Sequence, residues 1–93
     1  MIVEIVTPEA TLFKGKVTSV AVPGVEGEFQ MLHNHAAIVS ILAKGNVKVV
    51  GTNLEFDRAH EARFKQVNAT TYWLPIQSGT VEMKDNKVIV LAD

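Results

Sequence analysis

No cysteine occurs among the 93 residues. Disulfides and thiolate metal sites therefore cannot hold the fold, and a sulfur nucleophile is excluded, which leaves the core to Val, Ile, Leu, Phe and Met. An excess of charge of one sign is also missing. Nine Lys and Arg stand against ten Asp and Glu with no basic run, so the electrostatic footprint of a nucleic-acid binder is absent and nucleic acid is not expected as a partner. Spanning a bilayer takes about 20 consecutive, mostly apolar residues. The longest apolar stretch, Ala36 to Ala43, is short and broken by Ser40, so a soluble chain with no direct membrane insertion is expected. The opening MIVEIVTPEA lacks the basic start, apolar block and small-residue cleavage site of a secretory signal, which makes a cytoplasmic location the default. A chain this short should form one domain, residues 1–93, with one core.

What is present is strand-like. Three Pro and six Gly punctuate short runs rich in Val, Ile and Thr, the pattern of an all-β domain with many brief strands. MIVEIV reads as a strand closed by Thr7, Pro8 and Glu9, and KVTSVAV as another closed by Pro23 and Gly24, each proline marking a strand end. EFQML puts Phe29 and Met31 on one face and Gln30 and Leu32 on the other, and NVKVV follows Gly45. In TVEMKDNKVIVLAD, Val81 and Met83 alternate with Glu82 and Lys84 before Asp85 and Asn86, two residues that tolerate the positive φ of a tight hairpin turn. The second arm, Val88 to Leu91, is apolar at every position and should be covered on both faces. Leu54 to Lys65 is compatible with a short amphipathic helix carrying Phe56, Ala59 and Phe64, or with an irregular excursion between strands.

GVEGEFQMLHNHAAIV, Gly24 to Val39, concentrates the candidate chemistry. Glu28, His33 and His35 could in principle ligate zinc or run acid–base chemistry near neutral pH, which defines one alternative, a small metal-dependent β-sandwich enzyme. The two histidines are two residues apart, so the helical spacing of the usual hydrolytic zinc motif is absent. The glycines lack the lysine and Ser or Thr of a phosphate loop, and no serine sits in a recognisable nucleophile motif. No catalytic, cofactor or metal residue is assigned. What remains is a loop with an apolar rim, Met31 and Leu32, beside a carboxylate and an imidazole, the mix of groups found at protein contacts. The competing possibility is that Phe29 and Met31 are core.

The ordered segments VTPEATLFKGKVTSVAVPGVEGEFQMLHNHAAIVSILAKGNVKV and SGTVEMKDNKVIVLAD closely resemble the N-terminal domain of the ATP synthase epsilon subunit. The likeness covers Ile2 to about Val50 and Gln77 to Asp93. His33 and Ala37 stand where that family usually has proline, and Thr80 where it has glycine. The resemblance implies a flattened β-sandwich of roughly eight to ten short strands. It also implies a non-catalytic central-stalk subunit of a rotary proton- or sodium-translocating ATP synthase, peripheral on the cytoplasmic face of a bacterial inner membrane. Glu28 would then face the membrane c-subunit ring and His35 the gamma subunit, with Met31 and Leu32 between them, so that the stretch couples ring to stalk. Many members continue into two long helices that can act as a brake or bind ATP; with the chain ending at Asp93, coupling without braking is expected. A stand-alone adaptor with the epsilon fold is the further alternative.

Overall fold

Alternation decides most of the strands. In β1 (Ile2–Val6), Val3 and Ile5 are fully buried while Ile2 turns to solvent, because successive side chains of a strand point to opposite faces. The same logic seats Val20 and Val22 in β3 (Ser19–Gly24) and Met31 in β4 (Gly27–Leu32); in β2 (Thr11–Lys16) a bulge opposite Ile5 and Val6 skips Leu12 in the pairing and lets both Leu12 and Phe13 be buried. Alternation seats Leu42 in β5 (Ile38–Leu42), Val47 and Val49 in β6 (Gly45–Val50), and Leu74 and Ile76 in β8 (Thr71–Ile76). Val81 and Met83 follow in β9 (Gly79–Lys84), and Val88 and Val90 in β10 (Lys87–Ala92). Only β7 (Lys65–Asn68), an outer strand, buries nothing.

The computed structural model describes residues 1–93. Its ten strands form a curled sheet that folds into two layers, β2-β1-β10-β9-β5 and β4-β3-β6-β8-β7, the expected β-sandwich. The layers share one bridge, between Gly24 and Leu42, and close on a single apolar core. All neighbours run antiparallel except β1 and β10, which are parallel with Ile2 beside Lys87 and Val6 beside Leu91. The β9–β10 hairpin is the one expected from the sequence. Asp85 and Asn86 have φ of 52° and 61°, the two consecutive positive values of a type I′ turn whose twist matches its strands.

Four expectations are corrected. KVTSVAV is not one strand, because the chain changes layers inside it: the Val17 amide donates to Met1 in one layer (2.9 Å) and the Thr18 amide to Val50 in the other (2.7 Å). Pro23 and Pro75 lie within strands rather than ending them. Pro23 keeps a role as acceptor, taking the Ala43 amide at 2.8 Å, and β7 stops pairing at Trp73, so Pro75 has a sheet neighbour on one side only. The run Val88–Leu91 is covered on one face: Leu91 is 51% exposed, since a sandwich this small has no third layer to lay over it. Met31, placed on the exposed rim, is fully buried; it shares the inward face of β4 with the half-buried Phe29 and cannot touch a partner.

Leu54–Lys65 is an irregular excursion with one 3-10 turn, Glu61–Arg63. Packing explains its course. Phe56 lies 5.1 Å from Phe13, 4.7 Å from Phe64 and 4.5 Å from Tyr72, ring centre to ring centre. The segment folds its aromatic groups onto the core, and Asp57 accepts the Ala59 amide on its side chain and the His60 and Glu61 amides on its carbonyl.

Candidate protein-binding surface

The β4–β5 loop, residues 33–37, is held by the β9–β10 turn. Asn34 adopts φ of 59°, a left-handed conformation that asparagine tolerates, and its amide donates to Asn86 Oδ1 at 2.8 Å. With that oxygen committed, the Asn86 amide orientation is fixed. Nδ2 therefore points the other way and donates to His33 Nδ1 at 3.1 Å. The His35 amide closes the turn on Leu32 O at 3.0 Å. His35 Nδ1 lies 2.8 Å from Ala36 O, and a carbonyl can only accept, so Nδ1 carries the proton and Nε2 is the acceptor of the neutral ring.

Glu28 stands apart from the histidines. It projects from the outer face of β4, where Oε1 meets Lys48 Nζ at 2.9 Å, and the same ammonium sits 4.4 Å from the centre of the Trp73 ring. Strand register sets Lys48 beside Trp73 and, across Ala21, in line with Gln30; Glu28, opposite Pro23 and two residues from Gln30 on the same face of β4, reaches Lys48 diagonally. Leu32 shares the outer face of β4 and is 53% exposed. Glu28, His33 and His35 each have their own partner elsewhere, and no group of three or more His, Asp or Glu side chains is placed to share a metal ion. The metal-enzyme alternative is left without a ligand set.

A surface that sequence reasoning missed begins where His35 ends. β5 leaves the loop with Val39 and Ile41 outward, 74% and 65% exposed. Register sets Ile41 beside Thr80 and Leu91, and Val39 beside Glu82 and Ile89. Val39, Thr80, Glu82, Ile89 and Leu91 line a shallow groove of about 420 Å³. Its sequence signal lies in IVSIL and in VIVL, the second of which the apolar pattern assigns to burial on both faces. Contiguous exposed apolar area of this kind marks interaction sites in soluble proteins. No helix is long and apolar enough to cross a membrane.

Residues 1–60 match the family model described as ATP synthase, Delta/Epsilon chain, beta-sandwich domain. The chain is 39% identical over 90 residues to the ATP synthase epsilon chain of Campylobacter fetus subsp. fetus, covering 97% of this chain and 58% of that one. It is 35% identical over 91 residues to the epsilon chain of Leptospira interrogans, covering 98% and 59%. It therefore spans a little under three fifths of the length of these relatives. A chain in the central stalk and c-ring structure of the Tetrahymena thermophila mitochondrial ATP synthase superposes with a TM-score of 0.73 at 17% identity, covering 99% of this chain and 62% of that one, a likeness of fold. With the family model matched over more than half its length, the chain belongs to the ATP synthase delta/epsilon β-sandwich domain family.

Proposed function

We propose that the chain is a non-catalytic subunit of the central stalk of a rotary ATP synthase, seated between the membrane c ring and the gamma subunit. It is peripheral, on the cytoplasmic face of a bacterial inner membrane. Family membership supports the assembly, and the exposed apolar face that continues from His35 through Val39 and Ile41 to Leu91 supports the use of that side as a protein contact. Val39 and Ile41 on β5 and Ile89 and Leu91 on β10 flank Thr80 and Glu82 of the strand between them, and the His35 imidazole lies at the head of β5, a mixture of apolar and polar groups that protein contacts use. In this reading gamma covers that face, while Glu28 and Leu32, on the outer face of the other layer, meet the ring.

The carrying observation is the exposure of Val39, Ile41 and Leu91 on one face of the sheet. The test is affinity capture of the tagged chain from detergent-solubilised membranes, with the recovered subunits identified by mass spectrometry. Recovery of gamma and c subunits in fixed ratio is expected. Recovery of neither from membranes that contain an intact ATP synthase refutes the reading and favours the stand-alone adaptor.

A further inference from the structure

Asn86 lies outside the proposed contact surfaces, yet its side chain holds the loop that carries His35. Its backbone is itself anchored: the Ile2 amide donates to Asn86 O at 3.1 Å, and φ of 61° places the residue in the type I′ turn. From that rigid seat one amide group serves two partners, accepting from the Asn34 N–H and donating to His33 Nδ1. We propose that Asn86 is the positioning residue of the His33–Ala37 loop, forming a latch that stays closed only while the His33 ring is unprotonated at Nδ1.

The reason is donor and acceptor count. A neutral imidazole with its proton on Nε2 offers Nδ1 as an acceptor, and the Asn86 NH2 group is the matching donor. Protonation makes Nδ1 a donor and sets N–H against N–H. Turning the Asn86 amide over would satisfy the imidazolium but bring its NH2 group against the Asn34 amide, so one of the two contacts is lost in either orientation. Histidine is the side chain whose ordinary charge change falls between about pH 5 and 8. The other ionisable groups on the two segments are His35, Lys84, Asp85 and Lys87. His35 is turned onto Ala36 O, Lys87 pairs with Glu4 at 3.8 Å, and none of the four bonds to the His33 ring. With the amide unturned the His33 ring is released from the turn; with it turned, Asn34 is left in its left-handed conformation without its tie and the His35 ring that follows loses a fixed position.

The latch itself is independent of any partner; its consequence for assembly rests on the central-stalk reading. Nuclear magnetic resonance of the isotope-labelled 93-residue chain between about pH 8 and 5.5 reads the latch directly. At the high end the His33 nitrogen shifts should report a proton on Nε2. The Asn34 amide proton should move with the same midpoint as the His33 ring, and order at Asn34 and His35 should fall below it. Asn86→Gly keeps the turn, since glycine takes positive φ freely, and should abolish the linked movement. Asn86→Asp retains the acceptor for Asn34 and offers a carboxylate to the imidazolium, so its loop should stay ordered on acidification. A His33 proton on Nδ1 at high pH, an Asn34 amide indifferent to His33, or equal behaviour of all three chains overturns the latch.

Binding to purified gamma subunit then reads the positioning role. Parent affinity should drop roughly three- to tenfold on acidification, the scale of one or two lost hydrogen bonds, beyond any drop in Asn86→Asp, which retains His35 and so subtracts its own titration. Equal pH profiles for these two chains overturn the positioning role. A latch seen by resonance with no gamma binding at any pH supports the latch and refutes the central-stalk reading.

Discussion

Glu28 reaches the surface already paired, and this makes its role separable from that of a simple docking charge. Its carboxylate and the Lys48 ammonium are 2.9 Å apart, with side chains 49% and 30% exposed. In that half-wet setting the pair is worth about 0.2–1 kcal/mol after solvent screening. Glu28→Ala should cost no more than that. Glu28→Lys adds a repulsion of similar size, for a total of about 0.4–2 kcal/mol, or a fall of roughly 2–16 °C in Tm for a domain of this length. The double exchange Glu28→Lys with Lys48→Glu rebuilds the ion pair with its ends swapped. One deficit persists: the Lys48 ammonium lies 4.4 Å from the Trp73 ring centre, and a carboxylate there faces the negative side of the ring, forfeiting about 0.5–1 kcal/mol of cation–π attraction. The order of melting should therefore be parent, then double exchange, then Glu28→Lys, with the gaps narrowed but not closed by high salt, because contact pairs escape part of the screening. The decisive assay is ATP-driven proton pumping in membranes reconstituted with each chain. If the carboxylate at position 28 meets the ring, the double exchange restores melting in part, short of the cation–π deficit, and leaves pumping impaired. Recovery of both would make Glu28 an internal partner of Lys48 and remove it from the interface, and an unchanged Tm in Glu28→Lys would refute the pair itself.

Met31→Ala should lower stability by about 2–5 kcal/mol by opening a cavity under β4, measured by urea unfolding; a loss below about 1 kcal/mol would mean that the side chain is not in the core. Ile41→Asp should leave unfolding within about 0.5 kcal/mol of the parent while reducing capture of gamma at least tenfold; equal capture would refute the assignment of the apolar face. Asp93 has two opposing influences, desolvation raising its pKa and the hydrogen bonds from Ser78 and Gln77 lowering it, with lowering the net result. A carboxyl depressed in the folded state stabilises above its unfolded pKa, and that contribution disappears as pH falls through the folded value. Parent and Asp93→Ala should therefore differ slightly in Tm near neutrality and converge as the pH falls below the ordinary carboxylate range and through the lowered folded value; a difference that grows with acid would reverse the sign of the argument.

The parts of the fold that sequence exposes are those set by local chemistry. Asp85 and Asn86 announce a turn because few residues accept two successive positive φ values, and Val81 and Met83 alternate with charged neighbours because one face of β9 is wet. What stays hidden depends on distant neighbours. KVTSVAV looks continuous because nothing in the dihedral preferences of Val17 and Thr18 says that one amide will bond in one layer and the next in the other. Pro75 is tolerated because β7 ends early, a property of another segment. Met31 and Leu32 are adjacent apolar residues of opposite fate, and a six-residue strand offers too little alternation to tell which one turns inward. At the candidate site, Glu28 and His35 were readable through family likeness. Lys48 and Asn86, which hold Glu28 and the His35 loop, lie far along the chain and surface only through register and hairpin docking.

The parallel pairing of β1 with β10 also fixes when the protein can fold. Two hairpin units, β1–β2 and β9–β10, meet along this seam, and it places the last strand at the middle of its layer. The β9–β10 hairpin closes locally and can form in about 1–10 μs, but it gains its neighbour only by joining residue 2 to residue 87, a closure whose entropy must be met before any core contact compensates it. A nascent chain emerging from the ribosome carries β1 with one edge unpaired until residues 87–92 follow. Val3 and Ile5 thus wait for Val88 and Val90, and commitment of this domain to its topology falls to β10, after every other strand of the sandwich has been made.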